Sequence, residues 1–150
     1  MVDRVVEQMG GLDILINNAG ITIGGQSVVD MPLDDWHTVV DVNLHSVLYM
    51  SKAALPHMRQ REGGSVINIA SNVVNTLPGG AAAYAGTKAA VVALSKVMSK
   101  EEAQYGIRVN AISPGIIHAG TGVRALERRS AEVREQFLNT IPMRRSGGAE

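Results

Sequence analysis

The sequence predicts an α/β protein built on an open parallel sheet. Three short apolar runs, at residues 12–16, 65–70 and 107–113, read as strands, and two long helical patterns separate them. Alternation of strand and helix along a chain is the signature of a parallel sheet with helical crossovers.

The first run closes on Asn17-Asn18-Ala19-Gly20, a turn signal. The second is entered from Gly63-Gly64 and the third from Gly106, and both are rich in Val and Ile. All three are apolar on both faces, which predicts a sheet covered on both sides. The first helix is expected to begin at Pro32, with Asp34 and Asp35 placed to complement the helix dipole. Trp36, Val39, Val40, Val47 and Met50 fall on one face of it, and Thr38, Asp41, His45 and Lys52 on the other. Pro56 removes a backbone donor and predicts a kink in the last turns, before Gly63-Gly64 ends the segment. The second helix is expected over 82–105, with Gly106 as a left-handed cap. Its apolar and small residues, among them Ala89, Val92, Leu94 and Val97, spread over more than one face, so one packs on the sheet and another needs a further partner. Beyond Pro114-Gly115, residues 116–122 read as irregular and 124–139 as a charged helical stretch, a cover or lid.

Composition narrows the function classes. At 150 residues the chain has the length of one domain. Fourteen basic and fourteen acidic residues cancel, so no broad field invites nucleic acid or anionic lipid. With no cysteine there are no disulfides and no thiolate metal sites. No apolar run approaches the roughly eighteen residues that cross a bilayer, and residues 1–9 do not read as a signal peptide. The expected setting is a cytoplasmic protein with neither a nucleic-acid nor a membrane partner.

Tyr84 and Lys88 lie one helical turn apart, so an ammonium and a phenol can face one site. A cation beside a phenol favours the phenolate, the basis of proton transfer to or from a carbonyl or alcohol oxygen. Ser71 follows directly on the second strand, at the carboxyl end where open parallel sheets place their ligands; it reads either as a turn residue or as a substrate contact. Asn43 interrupts the apolar stripe of the first helix, where a buried amide requires hydrogen-bond partners. It reads either as a brace to neighbouring backbone or as a polar relay. Asn17 to Gly20 and Ser113-Pro114-Gly115 end the other two strands in the same way, so three strand ends define one crevice. His37, His45 and His57 read as helix-surface residues, and His118 as a loop residue. The Arg128-Arg129 and Arg144-Arg145 pairs read as solvated.

Asn17-Asn18-Ala19-Gly20, Asn43, Ser71, Tyr84-x-x-x-Lys88 and Pro114-Gly115, in this order and spacing, resemble the short-chain dehydrogenase/reductase family over essentially the whole chain. The resemblance implies a Rossmann-like doubly wound parallel sheet, incomplete here, with three core strands and flanking helices. It implies an oxidoreductase that moves hydride between NAD or NADP and a small-molecule carbonyl or secondary alcohol. By the same match Tyr84 is the general acid or base on the substrate oxygen. Lys88 favours its phenolate and holds the nicotinamide ribose, Ser71 hydrogen-bonds the substrate oxygen, and Asn43 anchors a water relay toward Lys88. Asn18, Ala19 and Gly20 line the cofactor cleft, with Pro114, Gly115 and Ile117 beside the nicotinamide. A homo-oligomer in the full-length parent is also implied, formed by the two long helices.

Two departures accompany the match. Family members open on a strand and a glycine-rich turn of Thr-Gly-x-x-x-Gly-x-Gly type that receives the pyrophosphate, and these 150 residues contain none. Residues 141–150 stop where the family begins its last helix and strand. The expectation is a partial domain over 1–150, truncated at both ends and inactive in isolation, with residues 12–16 left as an apolar edge. Thr121 stands two places beyond the position where the family often has a carboxamide-binding Thr. The competing reading is a non-catalytic interaction module that keeps the helix pair as a docking surface. Substrate selectivity is assigned to residues 73–83 and 116–139.

Overall fold

The computed structural model describes residues 1–148, the side chains of Thr121 and Ala125 excepted. It forms two compact units, Met1–Ser113 and Pro114–Glu150.

In the first unit β1 (Ile14–Asn17), β2 (Gly64–Ile69) and β3 (Ile107–Ile112) form a parallel sheet in that spatial order. The register sets Asn17 opposite Asn68 and Ile69 opposite Ile112. Ala70 N–H donates to the Ile112 carbonyl at 2.7 Å and carries the pairing one residue further. The carboxyl ends of the strands therefore lie side by side, as the α/β reading requires.

Leu15, Val66, Ile107 and Val109 form one core with Ala54, Leu55 and Met58 of α3 (Ser46–Gln60), Met98 of α5 (Ala82–Glu102) and Val2 of α1 (Val2–Met9). Burying each such large side chain contributes about 1.5–3 kcal/mol. On the other face, among the described residues, the outer strands are uncovered: Ile14 and Ile16 are 59% and 58% exposed and Arg108 and Asn110 are exposed, while Ile67 of β2 is half-buried between them. The sheet thus carries helices on one face, where the sequence predicted both. An apolar strand states a preference for burial without saying which segment supplies the cover.

The first long helix is three consecutive pieces: α2 (Leu33–Val40), a π-helical turn (Asp41–His45) and α3. Pro32 sits at the N-cap in an extended conformation, one residue before its predicted place. The helix runs through Pro56 to Gln60, and the departure from α geometry falls at Asp41–His45 instead. A short helix, α4 (Val73–Thr76), precedes α5. After α5 a 3-10 turn (Ala103–Tyr105) ends at Gly106, whose φ of 71° is left-handed. A Cβ there would also lie 2.8 Å from the Glu62 carbonyl oxygen, so both conformation and space demand glycine. Arg59 of α3 forks onto Glu102 of α5 at 2.8 and 2.5 Å and stacks on Tyr105, which clamps the far ends of the two helices together.

In the second unit the predicted single stretch over 124–139 is two helices, α6 (Thr121–Glu127) and α7 (Ala131–Asn139). Ser130 makes the break: its hydroxyl accepts from Val133 N–H at 3.3 Å and caps α7. Arg129 stacks on the Phe137 ring at 4.7 Å, so it is tied down where the sequence suggested a solvated residue. Ile117 forms a parallel bridge with Gly147, closed by His118 N–H to the Gly147 carbonyl at 2.8 Å.

Candidate active site

Lys88 lies on α5 one turn beyond Tyr84 and is only 3% exposed. Its Nζ donates to the Ile69 carbonyl at the end of β2, at 2.7 Å, and stands 5.9 Å from the centroid of the Tyr84 ring. Burial lowers the pKa of this ammonium below its ordinary 10.5. Tyr84 is half-buried, its ring beside the ammonium. The structure therefore brings the pair together.

Ser71 follows β2 and is half-buried. Its Oγ accepts from Val73 N–H at 3.2 Å, which steadies the entry to α4 and leaves the hydroxyl hydrogen to donate. The turn role is thus realised without consuming the donor that a substrate contact needs.

Asn43 is fully buried in the π turn. Oδ1 accepts from Ile21 N–H at 2.8 Å, and Nδ2 donates to the Ile21 carbonyl at 2.9 Å and to Thr87 Oγ1 at 3.3 Å. The side chain is a brace between the segment after β1 and α5. π turns in α-helices recur at functional sites.

Asn18, Ala19 and Gly20 leave β1 as an exposed turn. A Cβ at Gly20 would lie 3.2 Å from Lys88 Nζ and 3.5 Å from Asn43 Oδ1. The missing side chain thus lets backbone approach the buried ammonium, a cradle suited to a polar ligand group at the sheet's carboxyl edge. Pro114, Gly115 and Ile117 belong to the second unit, where Ile117 is held by its bridge to Gly147. The side chain of Thr121 lies outside the described residues.

Beneath these residues runs a buried polar ladder absent from the sequence reading. Asn17 Nδ2 donates to Asn68 Oδ1 at 2.8 Å and to Ser51 Oγ at 3.3 Å, and Asn68 Nδ2 donates to Ser95 Oγ at 2.8 Å. It joins β1 and β2 to α3 and α5 directly under the strand ends. The available signal was an asparagine inside an otherwise apolar strand, Val66-Ile67-Asn68-Ile69.

Elsewhere, His45 and His57 each meet one carboxylate, Asp41 at 2.8 Å and Asp3 at 2.9 Å. Among the described residues no group of three or more His, Asp or Glu is placed to hold a metal, and no helix is long and apolar enough to cross a membrane. An apolar cavity of about 430 Å³ is lined by Val28, Met31, Leu33, Trp36 and Ala82.

An open parallel sheet of this order, with its helices and its polar strand ends, has the Rossmann-like α/β architecture. A family model described as short chain dehydrogenase matches residues 1–130, and the chain belongs to that family. It is 39% identical over 147 residues to a 3-oxoacyl-acyl-carrier-protein reductase (FabG) of Staphylococcus aureus, covering 98% of this chain and 58% of that protein. To the reductase of the same name from Thermotoga maritima it is 37% identical over 150 residues, covering 100% of this chain and 59% of the relative. Among solved structures, an NAD+-bound xylitol dehydrogenase superposes with a TM-score of 0.89 at 34% identity, over 98% of this chain and 61% of that one. The chain therefore spans somewhat under two thirds of the length of the relatives it matches.

Proposed function

We propose that the protein containing this chain is an NAD- or NADP-dependent oxidoreductase that interconverts a carbonyl and a secondary alcohol, and that Tyr84 is its general acid and base. The observation that carries the reading is the buried Lys88 ammonium, anchored on the Ile69 carbonyl and facing the Tyr84 ring one helical turn away. A phenol beside a fixed ammonium is placed for proton transfer, so Tyr84 can give its proton to a nascent alkoxide and regain it. Ser71 keeps a hydroxyl hydrogen free to orient the substrate oxygen.

Support for the cofactor comes from the cradle at Gly20 and from the family. When bound, the nicotinamide supplies or accepts hydride at the substrate carbon. Asn18, Ala19 and Gly20 would line its cleft and Lys88 and Tyr84 would hold its ribose side; the family resemblance assigns Pro114, Gly115 and Ile117 to the nicotinamide as well. Asn43 anchors a water relay toward Lys88, with its side chain held in place by Ile21 and Thr87 and one lone pair of Oδ1 still open to accept.

The same proposal includes a cytoplasmic setting, supported by the family resemblance. It also includes a homo-oligomer, supported by Leu48, Tyr49 and Val97, which expose 44%, 63% and 51% of their surfaces on α3 and α5. The 150 residues assayed alone are expected to turn over poorly, since they contain no glycine-rich phosphate turn.

The test is an assay of the enzyme containing these residues with NADH and NADPH against panels of ketones and secondary alcohols. Tyr84→Phe should lower kcat about a thousandfold with the fold intact. Turnover that survives this substitution overturns the assignment of Tyr84; absence of turnover with every cofactor and substrate pair overturns the activity.

A further inference from the structure

We infer that Thr87 is a positioning residue, which holds the first turns of α5, and with them Tyr84 and Lys88, against Asn43 and the turn at Gly20-Ile21. The inference rests on the reading of Tyr84 and Lys88 above and extends it to a residue argued to act through that pair.

Thr87 is 2% exposed, so its hydroxyl has to find partners within the protein. The hydroxyl hydrogen is already committed: Oγ1 donates to the Tyr84 carbonyl at 3.0 Å, one turn back along α5. A hydroxyl has one hydrogen, so what it presents to Asn43 is an acceptor only. Nδ2 of Asn43 meets that acceptor at 3.3 Å and gives its other hydrogen to the Ile21 carbonyl at 2.9 Å, while Oδ1 takes Ile21 N–H at 2.8 Å. Turning the amide over would set Oδ1 against two acceptors and Nδ2 against a donor. The chain from Ile21 through Asn43 and Thr87 to the Tyr84 carbonyl therefore has a single arrangement, with every hydrogen used.

This chain connects three separate elements: the turn after β1, the π turn and the helix of the proton-transfer pair. Gly20 precedes Ile21 and lies against both Asn43 Oδ1 and Lys88 Nζ. Any slip between Asn43 and Thr87 is thus a slip in the wall beside the ammonium. A hydroxyl that served only to back-bond its own helix would have no need of the Asn43 donor.

The decisive variant is Thr87→Val in the enzyme containing this chain, which keeps the volume and removes the hydroxyl. One Asn43 amide hydrogen then lacks an acceptor and recruits water next to Lys88. By NMR the Asn43 side-chain amide should exchange about tenfold faster. The Lys88 ammonium, which the Tyr84 ring faces, should titrate nearer an ordinary lysine. With cofactor and substrate, kcat should fall roughly tenfold to a hundredfold while KM moves far less. Thr87→Ser should restore all three, which loss of packing alone does not predict. If Thr87→Val fails to fold, the unmutated protein still decides, because both Asn43 amide hydrogens have acceptors and must be protected from exchange. A rapidly exchanging Asn43 amide in the unmutated protein, or an unchanged amide and Lys88 titration in Thr87→Val, overturns the proposal. Neither NMR readout needs turnover. Shifted signals in a protein without activity would reject the oxidoreductase reading and keep the role of Thr87, whereas unchanged signals in an active enzyme would reject Thr87 alone.

Discussion

Lys88 and Ile69 meet through a 2.7 Å bond from Nζ to the main-chain carbonyl, in a position where the lysine is 3% exposed. Desolvation places the folded pKa of Lys88 below the 10.5 of an ordinary lysine. Below that lowered pKa the group is charged in both states, and the buried charge destabilises the fold. As pH rises through it, the folded chain releases its proton while the unfolded chain keeps one, so stability increases until the unfolded lysine also titrates near 10.5. Denaturant unfolding compared between the unmutated chain and Lys88→Met should show this alkaline gain in the former and not in the latter. Parallel pH profiles would mean that Lys88 titrates alike in both states.

Asn17 and Asn68 are direct register partners, joined side chain to side chain at 2.8 Å. Asn68→Leu keeps the size of the side chain but strips an acceptor from Asn17 and a donor from Ser95. Asn17 keeps Ser51 and Ser95 keeps the Val91 carbonyl, so two buried bonds are lost at about 0.5–1.5 kcal/mol each and stability to urea should fall by about 1–3 kcal/mol. In a double-mutant cycle with Ser95→Ala, a coupling of at least about 0.5 kcal/mol is expected. Strict additivity would show that the ladder does not act as a unit.

How much of this was legible in sequence follows from the range of each interaction. Gly106 and the Tyr84-Lys88 spacing are local, and both appear where the pattern put them. The ladder is not local: Asn17 and Asn68 lie 51 residues apart and become partners only once the strands are in register. The π turn was hidden for a different reason. Val39, Asn43 and Val47 are all buried at four-residue spacing, so the stripe looks helical whether the ladder of bonds steps by four or five. At Ser130 a capping side chain overrode continuous periodicity and split the predicted helix in two. For the candidate site, residue types and order were readable, whereas Thr87 and the approach of Gly20 to Lys88 required the packing of α5 against the π turn and the segment after β1.

Ile14 and Ile16 project from the edge strand on the uncovered face of the sheet. Exposed apolar area on an unprotected edge invites association. The 150-residue polypeptide should therefore bind a hydrophobic dye and scatter light at micromolar concentration. Ile14→Thr combined with Ile16→Lys should reduce both signals while leaving Leu15 in the core. A monomeric, dye-free parent polypeptide would show that this face is already covered in solution.

Gly20 and Gly86 provide a matched pair for the last prediction. A methyl at Gly20 would stand 3.2 Å from Lys88 Nζ, closer than an ordinary contact, whereas one at Gly86 on α5 would meet nothing within 4 Å. The neighbour at Gly20 is the end of a flexible side chain, so Gly20→Ala should fold, with a thermal midpoint within about 4 °C of the parent. Its effect should appear at the ammonium, which must give by a few tenths of an ångström against its bond to the Ile69 carbonyl. The Lys88 titration should shift, and kcat of the enzyme containing the chain should drop roughly tenfold or more. Gly86→Ala fills open space in a helix interior and should instead raise stability by about 0.5–1 kcal/mol, with the Lys88 titration unchanged. Equal behaviour of the two variants would mean that the absence of a side chain at Gly20 serves the turn and not the ammonium.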